Sequence, residues 1–176
     1  MRRAAVIGWP IEHSKSPAML NAAFAAAGLD AEMIALAVPS ERFAETVAEL
    51  RALPMLGASV TLPHKVAAHA LCDERSPSAG ATGAVNCLAL DGTRLVGHNT
   101  DAPGWVDAMR EAGVELAGAR VVLLGAGGAA RAVAYGASEA GAHVDVMARA
   151  GCTWRETRPW SELRDAFAAA DLVVDC

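Results

Sequence analysis

No two cysteines in this 176-residue sequence stand at the Cys-x-x-Cys spacing of common zinc sites. The four that are present, Cys72, Cys87, Cys152 and Cys176, lie far apart, which argues against a disulfide framework and predicts free thiols. His69 and Cys72 stand three residues apart on a predicted helix, but two ligands do not make a metal site. We therefore expect no bound metal.

Positive charge is also scarce. Lysine occurs only twice, and 15 basic residues stand against 20 acidic ones, for a net charge of −5. Nucleic-acid binding needs lysines and arginines concentrated opposite phosphates, and the sequence has no basic cluster. This composition argues against nucleic acid as a partner.

Long apolar runs are missing as well, since none approaches the roughly 20 residues that span a bilayer. The apolar stretch behind Arg2 and Arg3 stops at Pro10 and Glu12, too early for a signal peptide. Hydrophobic residues at 53% with 20% charged residues exclude an intrinsically disordered chain. We expect a soluble, cytoplasmic protein of one or two domains that does not bind membranes.

In the N-terminal part, apolar β-rich runs alternate with alanine-rich stretches. Strands are predicted at residues 4–8, 32–38 and 57–61, and a hairpin is predicted from residues 84–90 and 94–97. This order predicts an α/β unit with a mixed sheet.

Helices are predicted between these strands. One begins behind Ser16 as its cap, with Pro17 at its first position, and ends before Gly28. A second, capped by Ser40, has apolar residues at i, i+4 and i+7, namely Phe43, Val47 and Leu50. A third begins near Pro63.

Beyond residue 102 the pattern becomes strand, helix, strand, helix, strand with short connections. The predicted strands cover residues 120–124, 143–147 and 172–175, and predicted helices include residues 103–112 and 160–169. This is the layout of a doubly wound parallel sheet. We therefore place two domains at residues 1–101 and 102–176.

A glycine-rich stretch follows the first strand of the second domain and opens a helix. It fits the G-x-G-x-x-G/A pattern of dinucleotide sites, in which the first glycine allows a tight turn and the second lets the backbone approach a pyrophosphate. The alternative is a structural turn without a ligand. The predicted cofactor-binding residues are Gly125, Ala126, Gly127, Gly128, Ala129 and Ala130.

The end of the next strand bears on the choice of cofactor. An NAD-binding unit usually places Asp or Glu there, against the ribose 2′-hydroxyl. Here Arg149 stands at that end, while Asp145 lies within the strand and is expected to point away. Arg149 can form a charge-assisted fork with a 2′-phosphate. The sequence thus favours NADP over NAD, the alternative being a solvated arginine.

Polar side chains also follow the strands of the N-terminal part. Ser14 and Ser16, behind the first strand, offer two hydroxyls to a carboxylate, although Ser16 as a simple helix cap is the alternative. Further polar residues stand at or past other strand ends: Thr61, Lys65, Asn86 and Asp101. Ligands of open α/β sheets bind at the carboxyl ends of strands, so these residues predict a small-molecule site.

Five blocks then point to one family. They are G-x-P-I-x-H-S-x-S-P at residues 8–17, V-T-x-P-x-K at 60–65, G-A-V-N at 83–86, N-T-D at 99–101 and G-A-G-G-A-x-R at 125–131. In this order they resemble the shikimate/quinate dehydrogenase family, over essentially the whole sequence. The resemblance implies an NADP-dependent oxidoreductase of aromatic amino-acid biosynthesis, which reversibly reduces 3-dehydroshikimate to shikimate.

The resemblance also implies residue roles. Ser14 and Ser16 hold the substrate carboxylate. The ring hydroxyls are bound by Thr61, Asn86 and Asp101. Lys65 stands at the reacting oxygen with Asp101 beside it, and its ammonium stabilises the negative charge on that oxygen and supplies a proton.

The sequence departs from the family in three respects. Ser59 stands at a substrate-binding position where the family usually has asparagine. The cofactor pattern N-R-T-x-x-basic survives only as Arg149, with Thr153 at the basic position and Arg155 as an alternative source of charge. The family continues beyond the last residue, so residues 102–176 are expected to form the first half of a Rossmann-like domain. We expect this length of chain to have at most trace activity and to self-associate.

Two other functions stay open. One is a quinate/shikimate dehydrogenase that uses NAD, against which the paired serines and the missing acid at the strand end both argue. The other is a catalytically incompetent module that binds a small carboxylate or a nucleotide, against which Lys65 and Asp101 argue. We expect a monomer or a homodimer.

Overall fold

The computed structural model describes residues 1–152 and 154–176. These residues form two compact units, Met1–Asn99 and Thr100–Cys176. Each unit has its own sheet and its own hydrophobic core. The sequence analysis placed a boundary after residue 101, and the first compact unit ends at Asn99.

The first unit is built on a six-stranded mixed sheet of order β2-β1-β3-β5-β6-β4. Its strands are β1 (Arg2–Gly8), β2 (Ala31–Ala37), β3 (Met55–Val60), β4 (Glu74–Arg75), β5 (Cys87–Asp91) and β6 (Arg94–His98). Its helices are α1 (Ser16–Ala26), α2 (Phe43–Arg51), α3 (Lys65–Leu71) and α4 (Pro77–Thr82). The strands β2, β1 and β3 run parallel, and β5 runs antiparallel to β3 and to β6. The predicted α/β unit with a mixed sheet is confirmed.

Apolar side chains cover both faces of this sheet. Successive residues of a strand point to opposite faces, and on β1 the side chains of Ala5 and Ile7 join one buried cluster while Ala4 and Val6 join another. The apolar stripe predicted on α2 is confirmed, because the buried residues of that helix are Phe43, Val47 and Leu50. Burial on both sides holds the carboxyl end of β1 in place.

Two helices begin later than the sequence indicates. Ser40 does not cap α2, because it starts a 3₁₀ turn that ends at Arg42 and precedes the α-helix. The third helix begins at Lys65 rather than near Pro63. Pro63 lies in a turn that is closed by a hydrogen bond from the His64 N–H to the Thr61 carbonyl.

Helix α4 was missed by the sequence analysis. The Ser76 Oγ accepts a hydrogen bond from the Ala79 N–H at 3.3 Å, and Pro77 occupies the first turn. Gly83 follows the last residue with φ of 60°, a left-handed conformation that costs glycine little. A Ser-Pro start and a glycine stop are ordinary helix signals, so this helix could have been predicted.

The second unit contains a three-stranded parallel sheet of order β8-β7-β9. Its strands are β7 (Arg120–Leu124), β8 (His143–Met147) and β9 (Leu172–Asp175), and its helices are α5 (Asp101–Glu111), α6 (Gly128–Glu139) and α7 (Leu163–Ala168). The three strands have the bounds that the sequence predicts. The predicted helix at residues 160–169 is divided into a 3₁₀ turn, Trp160–Glu162, and α7. This order is that of one mononucleotide-binding half of a doubly wound sheet.

A buried histidine ties the start of α3 to the rest of the first unit. The His64 side chain is 1% exposed, its Nε2 lies 2.7 Å from the Val38 carbonyl oxygen, and its ring stacks on Phe43 with centroids 4.3 Å apart. Neither contact was foreseen from the sequence, because both partners are remote along the chain.

His64→Ala is expected to lower the free energy of unfolding of the first unit by about 2–4 kcal/mol, because it leaves a cavity and an unpaired carbonyl. Urea denaturation followed by circular dichroism measures the effect. His13→Ala, which removes an exposed ring, is the control and should change stability by less than about 0.5 kcal/mol. Equal behaviour of the two variants would contradict the structural role of His64.

Candidate active site

The carboxyl ends of β1 and β3 meet at one edge of the first sheet. The Thr61 N–H donates to the Ile7 carbonyl at 2.9 Å, and the Trp9 N–H donates to the Leu62 carbonyl at 3.0 Å. A Cβ on Gly8 would lie 2.5 Å from the Thr61 Cγ2, so only glycine lets the Thr61 side chain approach the backbone here. Thr61 is thereby placed directly beside the start of the 8–17 segment.

Lys65 and Asn86 join Thr61 at this edge through the backbone. The Asn86 carbonyl accepts from the Val60 N–H at 2.7 Å, and the Lys65 carbonyl accepts from the Val85 N–H at 2.8 Å. Both residues are half-buried. Two segments that are distant in sequence, residues 61–65 and 85–86, thus bring residues with a hydroxyl, an ammonium and an amide to one sheet edge.

The two serines lie at the start of α1. Ser16 is the first residue of this helix and not its cap, and Lys15 holds the cap position without a side-chain hydrogen bond. The helix begins one residue early because Pro17 still falls in the first turn, where its missing N–H has no cost. The Ser14 Oγ accepts from the Ser16 N–H at 3.3 Å. The reading of Ser16 as a helix cap is therefore wrong.

Ser59 lies near the carboxyl end of β3, two residues before Thr61. It lies on β3, paired in register with Val6 and Cys87, and it lines a cavity of about 250 Å³ together with apolar side chains such as Leu20 and Phe24. Burial raises the pKa of the Cys87 thiol in the same cavity. Ser59 is thus the one polar hydroxyl among mainly apolar lining residues.

Asp101 belongs to the second unit. It is the first residue of α5, although the sequence predicted that this helix would start at Pro103. A carboxylate in the first turn interacts favourably with the helix dipole, which accounts for the earlier start. The Asp101 side chain is half-buried.

The glycine-rich loop joins β7 to α6. Gly125 has φ of 115°, a conformation that favours glycine, and its N–H donates to the Met147 carbonyl at 2.9 Å. Gly127 precedes the helix, which has no side-chain cap, and a Cβ added to Gly127 meets nothing within 4 Å. Ala130 is completely buried, where a larger side chain would separate helix from strand. The uncapped first turn of α6 leaves N–H groups available to an anion.

This loop forms one wall of a cavity of about 620 Å³ within the second unit, a size typical of ligand sites. The lining residues are Gly125, Ala126, Gly127, Arg131, Ala148, Arg149, Ala150, Gly151, Cys152, Trp154 and Trp160. Arg149 follows β8 and faces this cavity, whereas Asp145 accepts a hydrogen bond from the Arg158 Nη1 at 3.0 Å. Asp145 thus forms an ion pair with Arg158. Hydrogen bonds to Glu162 and Asp145 raise the pKa of Arg158.

The chemistry of the lining fits a phosphate-bearing cofactor. Among the described residues the lining contains two arginines and no carboxylate. The Nε of Arg131 is buried and has no hydrogen-bond partner in the described part of the chain, and burial lowers the pKa of Arg131. Sequence reasoning did not select Arg131, although it is the last residue of the 125–131 block. A half-buried arginine whose Nε has no described partner, beside an uncapped helix start, favours an anion.

The variant Gly127→Asp tests phosphate binding at this loop without impairing folding. Asp is a favoured helix cap, so the melting temperature should not fall, but its carboxylate projects into open space and should repel a pyrophosphate. Affinity for NADP, measured by calorimetry, is expected to fall at least about tenfold. Gly127→Ser, an equally good but neutral cap, should lose less. Unchanged affinity in the Asp variant would contradict phosphate binding at this loop.

Comparison with known proteins follows the same division of the chain. A model of the shikimate dehydrogenase substrate binding domain matches residues 6–88. The shikimate dehydrogenase (NADP(+)) of Symbiobacterium thermophilum is 45% identical over 168 residues, which cover 95% of this chain and 53% of that protein. The crystal structure of shikimate 5-dehydrogenase from Thermus thermophilus, in complex with NADP(H) and shikimate, is 38% identical, with a TM-score of 0.85 over 100% of this chain and 68% of that one. The chain belongs to the shikimate dehydrogenase family.

Other shikimate dehydrogenase structures agree in fold. That from Peptoclostridium difficile has a TM-score of 0.91 at 25% identity, covering 100% of this chain and 66% of that one. That from Listeria monocytogenes, in complex with shikimate and NAD, has a TM-score of 0.82 at 29% identity, covering 100% and 68%. The predicted fold class, an α/β unit followed by a Rossmann-like unit, is confirmed. The chain spans about half the length of the curated relatives it matches.

The second unit contributes three strands to a type of sheet that usually has about six. Among the described residues of this shikimate dehydrogenase family member, no helix is both long and apolar enough to cross a membrane.

Proposed function

We propose that this protein is an NADP-dependent shikimate dehydrogenase, which reversibly reduces 3-dehydroshikimate to shikimate. The proposal assigns substrate binding to residues 1–101 and NADP binding to residues 102–176. The meeting of Thr61, Lys65 and Asn86 at one sheet edge carries it, because these are three of the residue types that a polyhydroxylated ring with a reacting carbonyl requires. The Thermus thermophilus relative, solved with NADP(H) and shikimate, supports it.

The substrate is held at both ends of its ring. Ser14 and Ser16 donate hydroxyl hydrogen bonds to its carboxylate, next to the start of α1. Its ring hydroxyls are bound by Thr61, Asn86 and Asp101. Ser59 reaches less far than the asparagine usual in the family, and it opens onto an apolar cavity, so its contribution is the smallest of the set.

Lys65 and Asp101 are the proposed catalytic residues. The Lys65 ammonium stabilises the negative charge that develops on the substrate oxygen and supplies the proton that this oxygen takes up. The Asp101 carboxylate accepts a hydrogen bond from the adjacent hydroxyl and so fixes the orientation of the ring.

The cofactor is held by the second unit. The backbone of residues 125–130 and the uncapped start of α6 bind the pyrophosphate, and Arg149 binds the 2′-phosphate. When bound, the reduced nicotinamide supplies the hydride that the carbonyl carbon receives. A lining with two arginines and no carboxylate among the described residues favours NADP over NAD, although the Listeria monocytogenes relative was solved with NAD.

Turnover of shikimate with NADP, measured beside quinate with NAD, tests this function. We expect the activity that is present to be oxidation of shikimate with NADP, with little or no turnover of quinate. Faster turnover of quinate with NAD would favour the quinate/shikimate alternative. Binding of NADP without turnover of either substrate would favour a binding module.

A further inference from the structure

We propose that Arg131 is the second cation of the 2′-phosphate site, beside Arg149, and that the Trp154 ring holds it there. This inference rests on the proposed use of NADP, and it names a residue that decides cofactor specificity. It also replaces Arg155, which the sequence analysis named as an alternative source of charge.

The 2′-phosphate requires more charge than one arginine supplies. A phosphate monoester carries about −1.5 to −2 charges near pH 7, and Arg149 offers a single positive charge. The family pattern places a second basic residue at position 153, where this chain has threonine, a residue outside the described part of the structure. A second positive charge from another segment would balance the dianion.

Arg131 is in position to supply it. Its side chain lines the same cavity as Arg149, and its guanidinium carbon lies 5.2 Å from the centroid of the Trp154 ring. An arginine placed over an aromatic face keeps its N–H edge available for a fork with an oxyanion. The ring also limits the rotamers of Arg131, so less conformational entropy is lost when an anion binds.

The state of Arg131 without an anion is consistent with this role. Its Nε is buried without a hydrogen-bond partner in the described part of the chain, and burial lowers its pKa. A half-buried cation whose Nε is unpaired and that has no carboxylate beside it in the described lining costs the fold free energy. An incoming dianion removes that cost, so the unpaired guanidinium increases affinity for the phosphorylated cofactor.

Arg155 contacts the same ring but does not share the site. Its guanidinium carbon lies 5.5 Å from the Trp154 centroid, yet Arg155 is absent from the described lining of the cavity. Arg131 and Arg155 both lie over the Trp154 ring, but of the two only Arg131 belongs to the described cavity lining. The two arginines therefore form a matched pair for comparison. Arg155→Met is therefore the control for Arg131→Met.

Calorimetric titration with adenosine 2′,5′-bisphosphate and with ADP tests the inference, because the two probes differ in the position of a phosphate. Arg131→Met is expected to weaken binding of the 2′,5′-bisphosphate by about 10- to 100-fold, with ADP changed less than about twofold. The salt dependence of 2′,5′-bisphosphate binding should also become shallower. Arg155→Met should leave the affinities for both probes unchanged.

Each of the other outcomes would overturn a specific part of the inference. Equal losses for both probes would place Arg131 at the 5′-phosphate, which both probes carry, and overturn its assignment to the 2′-phosphate. No loss for either probe would overturn that assignment as well. If Arg131→Met fails to fold, Arg131→Lys decides, since it keeps the charge but not the fork and should bind the 2′,5′-bisphosphate several-fold more weakly; unchanged binding would overturn the inference. Failure of the parent protein to bind the 2′,5′-bisphosphate would instead refute the proposed cofactor.

Discussion

Lys65→Ala is expected to lower kcat by about 10²- to 10⁴-fold, the range for loss of an acid–base group, while the affinity for NADP stays unchanged. The reason is the division of the chain: Lys65 lies at the sheet edge of the first unit, and the glycine-rich loop proposed to bind the cofactor lies in the second. Steady-state kinetics with shikimate and NADP measures kcat, and calorimetry measures the cofactor affinity.

Two further variants make this result specific. Lys65→Arg keeps a positive charge but holds its proton too tightly to transfer it, so partial activity would assign charge stabilisation to Lys65 and no activity would assign proton transfer. Val66→Ala, an exposed neighbour on α3, should be close to the parent. More than about half of the parent turnover in Lys65→Ala would refute the catalytic role.

Arg149→Asp is expected to reduce kcat/KM for NADP by about 100-fold or more, whereas kcat/KM for NAD holds or improves. The change removes a charge-assisted fork and places a carboxylate near the 2′-phosphate. The same carboxylate can accept a hydrogen bond from the 2′-hydroxyl of NAD, the usual arrangement in NAD-binding units. Steady-state kinetics with both cofactors gives the ratio of kcat/KM for NADP to kcat/KM for NAD. This ratio decides whether Arg149 sets the cofactor preference.

The matched control is Arg155→Asp, which makes the same change of charge outside the described cavity lining. It should shift the NADP to NAD ratio far less than Arg149→Asp. An unchanged ratio in Arg149→Asp would show that Arg149 does not discriminate between NADP and NAD. Arg131 would then be the remaining arginine of the described lining that could do so.

Much of the secondary structure could be predicted because its causes are local. The strands β7, β8 and β9 have the predicted bounds, since continuous apolar runs bounded by glycine or polar turns specify buried strands. Gly28, with φ of 65°, stands just past α1 as a glycine at a helix end should. Errors fell at helix starts such as Ser16 and Asp101, where a shift of one or two residues changes little energy.

Residue types and their order by themselves determined the family, the two-part α/β organisation and the identity of the candidate site residues. Only the tertiary structure decided which of them share a space. Thr61, Lys65 and Asn86 come to one sheet edge because backbone hydrogen bonds join residues 60–65 to residues 85–86. Arg131 and Arg149 line one cavity because α6 and the end of β8 both border it. Asp145 is directed elsewhere, into an ion pair with Arg158. Such convergence depends on contacts between residues far apart in sequence, which local patterns do not encode.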